Sequence, residues 1–309
     1  MTKKKKQQYR IRNWREYNRA LTERGSLTLW IETRSTDTWL DQDTPARRGR
    51  RRRYTDAAIT CALTLREVYR LPLRATQGLV GSILHLMQLE LPSAHYSTLS
   101  RRARQLSIKL SAHCSKQIKH LVIDSSGLKV YGEGEWKVRV HGADRRRTWR
   151  KLHISMDAGA HQLTAASLTD KDELDRHQLP GLLEQTEAEV ERVCADGAYD
   201  FEQCYRAIKR RQAVALIPPR EDAIIRGKSP FEQRDENLRQ IKSKGRKEWK
   251  KQSTYHQRSL GETAFFRLKT IFSDRLRSHR TDTQTTEAMV RCLALNRMTS
   301  LGMPESYAT

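Results

Sequence analysis

The pattern of apolar and polar residues changes character near Lys119. After this point, short apolar runs predict three consecutive strands in HLVIDSSGLKVY, RTWRKLHISMDA and QLTAASLTD. A helix is expected in ELDRHQLPGLLEQTEAEV, with Pro180 interrupting it early, and then a strand in VCADGAY, a helix in FEQCYRAIKRRQ and a strand in AVALIPP. The order strand, strand, strand, helix, strand, helix, strand predicts an α/β domain.

The charge of the chain indicates what kind of partner the protein binds. Among 309 residues, 59 Lys and Arg stand against 36 Asp and Glu, which gives a formal net charge of +23. The excess is spread along the chain, so a polyanionic partner such as DNA is expected. The five cysteines form no C-x-x-C pair and are expected to be reduced thiols in the core. Because no apolar stretch is long enough to span a membrane, we expect a cytoplasmic protein without a membrane partner.

Residues 54–110 have helical periodicity. They predict three short helices, in YTDAAITCALTLREVYRL, LRATQGLVGSILHLMQL and YSTLSRRARQL, separated by prolines. Three such helices suggest a helix-turn-helix, in which Arg101, Arg102 and Arg104 of the third helix would face DNA phosphates or base edges. A three-helix scaffold packed on the α/β domain is an equally good interpretation.

These patterns divide the chain into segments. We expect a basic N-terminal arm and linker (residues 1–53), a helical DNA-binding region (54–118), a ribonuclease-H-like catalytic domain (119–302) and a tail (303–309). Arg50, Arg51 and Arg52 predict a linker that contacts phosphates, although a solvated charged loop would look the same. Residues 220–253 are basic and weakly periodic, and they predict an insertion before the last catalytic helix that faces DNA.

Two aspartates follow apolar strands. Asp124 lies near the end of the first strand in LVIDSSG, and Asp196 ends a later strand in VCADGAY. A carboxylate flanked by apolar residues is costly unless a cation is near it. Phosphodiester chemistry needs such hard oxygen ligands to converge on metal ions.

Glu262 lies in YHQRSLGETAFFRLK, which predicts an amphipathic helix. At about 100° per residue, Tyr255, Arg258, Glu262 and Lys269 share one face. The opposite face is apolar and carries Leu260, Ala264, Leu268 and Ile271. An ordinary surface helix has the same pattern, so its pairing with the two aspartates supports the active-site interpretation.

The sequence resembles transposases of the fifth insertion-sequence family, a branch of the DDE transposases. The similarity covers nearly the whole chain, from NWREYNRAL through YSTLSRR, VIDSSGLKVYGEGEWK and ADGAYD to ALNRMTSLGMPES. The signature of that family is Tyr, two residues, Arg, three residues, Glu, six residues, Lys. Tyr255, Arg258, Glu262 and Lys269 match it without a shift of register.

The resemblance implies a function for each of these residues. Asp124, Asp196 and Glu262 would be the catalytic triad that holds two Mg²⁺ ions, for which Mn²⁺ would substitute. Tyr255, Arg258 and Lys269 would contact the phosphates of the transposon ends. The reaction would be hydrolysis at each end followed by transesterification into target DNA. The partners would be the terminal inverted repeats, target DNA and a second copy of the chain, as a homodimer on DNA.

Trp249 is a candidate for stacking on a flipped base, as in hairpin-forming relatives. Trp136 and Trp149 are rival candidates, and a core tryptophan is the simpler interpretation.

Two other functions remain open. A ribonuclease-H-like nuclease or junction resolvase would share the fold and the metal site. A domesticated, inactive relative would keep DNA binding without catalysis, although the intact triad argues against it. Neighbouring acids such as Asp175 are expected at helix starts, where carboxylates cap the backbone.

Overall fold

The computed structural model describes residues 9–31, 36–42, 53–110, 116–130 and 149–308. Its helices are α1 (Trp14–Glu23), α2 (Leu27–Trp30), α3 (Asp56–Val68), α4 (Leu73–Leu86), α5 (Tyr96–Arg102), α6 (Asp175–Gln185), α7 (Glu202–Arg210), α8 (Glu232–Lys244), α9 (Arg246–Gln252), α10 (Ser259–Phe272) and α11 (Thr281–Ser300). Its strands are β1 (Tyr9–Ile11), β2 (Gln117–Val130), β3 (Trp149–Asp157), β4 (Gln162–Asp170), β5 (Glu189–Cys194), β6 (Val214–Leu216), β7 (Arg275–Leu276) and β8 (Ser306–Ala308).

A mixed sheet forms the centre of the molecule. Its strand order is β4-β3-β2-β5-β6, and β7 pairs with the far end of β2. The first three strands are antiparallel, whereas β5 and β6 run parallel to β2. This confirms the predicted order of strands and helices, and the mixed α/β architecture is consistent with a ribonuclease-H-like domain.

Both faces of the sheet are covered. On β2, Val122 and Leu128 pack into the core that contains α3, α10 and α11, whereas Leu121 and Ile123 pack toward α6 and α7. Successive side chains of a strand point to opposite faces, so one long strand supplies both cores. This explains why the central run of β2 is apolar without alternation.

The three helices expected in residues 54–110 are present as α3, α4 and α5. Their apolar side chains belong to the same core as α10, α11 and one face of the sheet. This packing is that of the scaffold alternative, and the helix-turn-helix interpretation stays a prediction. His95 caps α5, and its side chain accepts a hydrogen bond from the Ser97 N–H.

Helix α6 continues through Pro180, where an interruption was expected. Proline has no N–H to donate to the carbonyl four residues earlier, which is that of Arg176. The Cys204 thiol donates to this carbonyl at 3.5 Å and satisfies it from α7. The helix ends at Gln185, before the predicted end, because the chain turns into β5 at Glu189.

The weakly periodic residues 220–253 contain α8 and α9. Helix α8 is fixed to β6 by Asn237, which donates to the Ala215 carbonyl at 2.9 Å. A buried ion pair of Arg234 with Asp200 at 2.8 Å fixes it to the 3₁₀ turn that follows β5. These buried polar contacts leave no apolar stripe, which explains why the periodicity was weak.

The first and last strands of the described residues, β1 and β8, pair as antiparallel strands. No described helix is long and apolar enough to cross a membrane. Among the described cysteines, Cys61, Cys194, Cys204 and Cys292 are buried free thiols, as expected.

Candidate active site

Asp124 lies in the middle of the sheet. Its strand, β2, is flanked by β3 and β5, and its side chain points toward α10 on the same face as Val122. The residue is only 7% exposed, and its Oδ1 accepts a hydrogen bond from the Ser125 N–H at 2.9 Å. The carboxylate is therefore fixed at the floor of the site.

Asp196 follows β5 at the level of Asp124. The two strands are parallel, and Val122 of β2 is in register with Cys194 of β5. Two residues further along each strand lie Asp124 and Asp196, on neighbouring strands about 4.8 Å apart. Asp196 is the N-cap of the 3₁₀ turn Gly197–Tyr199, and its Oδ1 accepts from the Ala198 N–H at 2.8 Å. This capping bond sets the direction of the carboxylate.

Helix α10 brings the third carboxylate to the same place. It approaches β2 through Gly261, where an added Cβ would lie 2.9 Å from Asp124 Cβ and 3.2 Å from Val122 Cγ1. Only a residue without a side chain allows this distance. Glu262, the next residue, projects from the start of α10, and its side chain is 62% exposed.

Arg258 connects the three acids. Its Nη2 lies 3.6 Å from Asp124 Oδ1 and 3.8 Å from Asp196 Oδ2, and its Nη1 donates to Glu262 Oε1 at 2.5 Å. The three acids predicted from the sequence are therefore gathered around one guanidinium. They come from two strands and one helix.

Burial and charge act in opposite directions on these groups. Burial raises the pKa of Asp124, the Arg258 guanidinium and the Ser125 N–H counteract this, and the charges of Asp196 and Glu262 add to the rise. Burial alone would lower the pKa of Arg258, but the surrounding carboxylates raise it. The site therefore favours a positive charge at its centre.

Within the described residues, no three His, Cys, Asp or Glu side chains lie at the spacing of a metal-ligand cluster. The triad surrounds Arg258 instead. The chemistry of the donor set still fits a hard cation, because carboxylate oxygens are the ligands that Mg²⁺ and Mn²⁺ prefer. The burial of Asp124 and its repulsion by Asp196 and Glu262 also favour a cation at this place.

The other residues of the signature do not all face outward. Tyr255 is buried, and its hydroxyl donates to the Ala195 carbonyl at 3.3 Å. It lies in a 3₁₀ turn, Tyr255–Arg258, that precedes α10, and so it does not share the exposed face of Glu262 as expected. The Lys269 ammonium donates to the Ser126 hydroxyl at 2.6 Å, on the same face of β2 as Asp124.

Trp249 is a core residue, only 1% exposed, with its ring 5.4 Å from that of Tyr255. In this position it cannot stack on a flipped base, so the simpler interpretation holds. The expectation failed because a sequence does not distinguish a buried tryptophan from an exposed one. Trp149 begins β3, and Trp136 lies outside the described residues.

The arginines expected to contact DNA are separated by the structure. Arg101 and Arg104 are exposed, but Arg102 is buried, with Nη1 donating to the Tyr54 carbonyl at 2.6 Å and Nη2 paired with Asp56. Arg102 therefore holds α5 to the start of α3 and does not face DNA as expected. Arg50, Arg51 and Arg52 lie outside the described residues.

Two polar residues near the site were missed as contributors. His120, on β2, makes a 2.8 Å hydrogen bond with Thr254, which has a left-handed backbone (φ 60°) just before the Tyr255 turn. Asp175 is paired with Lys151 at 2.8 Å, and its Oδ1 lies 3.3 Å from His153 Nδ1. Both partnerships join distant parts of the chain, so no local sequence signal could have shown them.

The molecule is thus a mixed α/β domain in which three carboxylates from two strands and one helix converge on one guanidinium. Two family models, both described as transposase DDE domains, match residues 22–133 and 115–297. The second match covers more than half of the chain. The protein belongs to the DDE transposases, and its resemblance to the fifth insertion-sequence family stays a prediction.

Proposed function

We propose that this transposase cuts DNA at the terminal inverted repeats of its insertion sequence and joins the released ends to target DNA, with Asp124, Asp196 and Glu262 as its metal ligands. The observation that carries the proposal is the convergence of these three carboxylates on Arg258. Side chains from β2, the end of β5 and α10 meet there, although 72 and 66 residues of sequence separate them.

The triad is proposed to hold two Mg²⁺ ions, or Mn²⁺ in their place. When bound, such ions polarise a phosphoryl oxygen and ready the attacking oxygen. Asp124 is fixed by its backbone hydrogen bond and would form the rigid floor of the site, whereas the exposed Glu262 would approach from the open side. No nucleophilic side chain is required, because water and then the DNA 3′-hydroxyl attack the phosphodiester.

Arg258 and Lys269 are proposed to contact the phosphates of the bound end. Both lie on the face of β2 that carries Asp124, and a guanidinium is suited to the two oxygens of a phosphodiester. Arg258→Ala should therefore weaken binding of end DNA more than it weakens Mn²⁺ binding, measured by titration of each ligand. Normal DNA binding with loss of Mn²⁺ would contradict this assignment.

The exposed side of α9 extends the proposed DNA-contacting surface of Arg258 and Lys269. Lys247, Lys250 and Lys251 are exposed at helical spacing, and Lys250 lies 5.6 Å from the Tyr255 ring centre. We therefore keep the proposal that residues 220–253 face DNA. Because two ends must be brought together for transposition, the active form is proposed to be a homodimer on DNA.

The decisive experiment is cleavage of a labelled transposon-end duplex with Mg²⁺. Wild type should cut at the end, and Glu262→Gln should bind the duplex without cutting it, because the change keeps the shape and removes the charge. Glu202→Gln, an exposed glutamate on α7, is the matched control and should cut normally.

The outcomes separate the alternatives. If wild type and Glu262→Gln both bind and neither cuts, the inactive DNA-binding alternative is supported. If wild type cuts duplexes regardless of the terminal repeat, the protein acts as a general nuclease.

A further inference from the structure

A second cationic pocket lies away from the triad, between α3, α5 and the segment that joins β7 to α11. Its volume is about 260 Å³, compared with ~30 Å³ for one water molecule. Its basic lining consists of Arg66, Arg104, Arg277, His279 and Arg280. The pocket is thus formed jointly by the N-terminal helices and the C-terminal part of the chain.

A buried ion network forms the base of this pocket. Glu67 is 2% exposed and accepts from Arg277 at 2.6 Å and from Arg291 at 2.9 Å. Glu287 is paired with Arg291 and accepts the backbone N–H groups of Arg277 and Ser278, each at 2.8 Å. These bonds fix the direction of the loop that carries the other basic residues.

The charges of this network do not balance. Three guanidiniums, those of Arg66, Arg277 and Arg291, are set against the two carboxylates of Glu67 and Glu287. Burial lowers the pKa of Arg66, and the two neighbouring arginines add to this effect while the glutamates oppose it. The Arg66 Nε is buried and has no hydrogen-bond partner in the described part of the chain. An uncompensated buried cation is costly, so a further anion would stabilise the arrangement.

We infer that this pocket binds a phosphate of the DNA backbone. A phosphodiester carries one negative charge, which matches the one in excess, and its oxygens suit guanidinium donors. Arg104 and Arg280 are exposed at the rim, where a backbone phosphate can reach them. The carboxylate of Asp282, paired with Arg280 at 2.8 Å beside the rim, opposes an anion, as do Glu67 and Glu287 in the lining, whose charges are already paired with arginines.

The pocket lies on the same side of the sheet as the triad, because its lining residues Leu63 and Val290 belong to the core that also contains Val122. Strand β7, which leads into its loop, pairs with β2 at Val130, six residues beyond Asp124. At about 3.3 Å per residue this is roughly 20 Å, which corresponds to about six base pairs of duplex. Lys269 lies between the two sites, beside Ser126. One duplex could therefore contact the triad, Lys269 and the pocket. The inference rests on the proposed function, because it assumes that DNA enters the triad.

The test is equilibrium binding of a DNA duplex without divalent ions, so that its result does not depend on catalysis. Arg104→Gln should lower the slope of log K against log salt by about 0.9, which means roughly eightfold weaker binding at 0.1 M salt. Arg210→Gln, an exposed arginine of α7 on the other face of the sheet, is the matched control and should change neither quantity. Asp282→Asn should act in the opposite direction and strengthen binding.

A second measurement distinguishes DNA from free phosphate. Inorganic phosphate should raise the melting temperature of wild type more than that of the Arg104→Gln, Arg280→Gln double variant. If it does so while the DNA slopes of wild type and Arg104→Gln are equal, the pocket binds free phosphate and the DNA assignment is wrong. If Arg104→Gln binds DNA like Arg210→Gln, and phosphate raises the melting temperature of the double variant as much as that of wild type, the pocket is not an anion site. If the slopes of log K against log salt change as expected but wild type does not cleave the transposon-end duplex, only the proposed function is contradicted.

Discussion

Gly261 determines how closely helix α10 approaches strand β2, and Gly261→Ala tests this relation. The added Cβ would lie 2.9 Å from Asp124 Cβ, 3.0 Å from Asp124 Oδ2 and 3.2 Å from Val122 Cγ1. Carbon atoms in contact prefer about 3.5–4.0 Å, so the helix or the strand must move by roughly 0.5–1 Å. Such overpacking costs about 1–3 kcal/mol.

Helix propensity acts in the opposite direction. Alanine is favoured over glycine in a helix interior by about 1 kcal/mol and by less in the first turn, where Gly261 lies, so the net loss of stability should be roughly 0–3 kcal/mol. The effect on chemistry should be larger, because a displacement of about 1 Å can lower a rate by roughly 100-fold. Asp124 and Glu262 would be moved apart while both carboxylates remain present.

The assay compares chemical unfolding with Mg²⁺-dependent cleavage of a transposon-end duplex. Gly78→Ala is the matched control, since Gly78 lies in the exposed part of α4 with no atom within 4 Å of an added Cβ. This control should gain about 0.5–1 kcal/mol and cut normally. The reasoning is refuted if Gly261→Ala is stabilised like the control and cleaves at the wild-type rate.

Three further substitutions test the structural interpretation. Arg102→Gln should lower the free energy of unfolding by about 1.5–3 kcal/mol, because the charged hydrogen bonds of Arg102 are lost. Arg101→Gln, at an exposed position, should change it by no more than about 0.5 kcal/mol. Equal stabilities of the two variants would contradict the buried role of Arg102. Tyr255→Phe should cost about 1 kcal/mol and leave the affinity for DNA unchanged, and a clear loss of affinity in a binding titration would restore its predicted phosphate contact. Burial alone would raise the pKa of Asp175, but the neighbouring side chains of His153, Lys151 and Ser125 outweigh this effect and lower the pKa. The stabilisation that the ionised Asp175 gives the fold is therefore present above about pH 4 and is lost as pH falls toward the lowered pKa. The unfolding curves of Asp175→Asn and wild type should differ at pH 7 and converge progressively below about pH 4. A difference that stays constant with pH would refute this.

The sequence was most informative where local pattern and function coincide. The strands of the sheet have apolar runs bounded by turns, and Asp124 and Asp196 stand out because each follows such a run. Their proximity follows from parallel pairing of β2 and β5, which the order of elements already indicates. The identity of the third acid depended on the signature around Glu262.

Other features depend on contacts between distant residues. The burial of Arg102 requires Tyr54 and Asp56, and the helices of residues 220–253 are fixed by polar bonds such as that of Asn237 with Ala215. Sequence periodicity detects a helix by its apolar face. Helix α5 and the helices of residues 220–253 are positioned by polar contacts, which periodicity does not detect. For the same reason the sequence could not show that Trp249 is in the core.

The position of Glu262 is fixed by three contacts, each to a different part of the sheet. His120 of β2 binds Thr254, the Ala195 carbonyl after β5 accepts from Tyr255, and Asp124 packs against Gly261. The signature tyrosine therefore orients the turn that carries Arg258. In the proposed role of Glu262, its carboxylate must be held within about 0.5 Å of its working position, and the contacts of Thr254, Tyr255 and Gly261 would hold it there. This accounts for a buried tyrosine in a motif whose other members face the site.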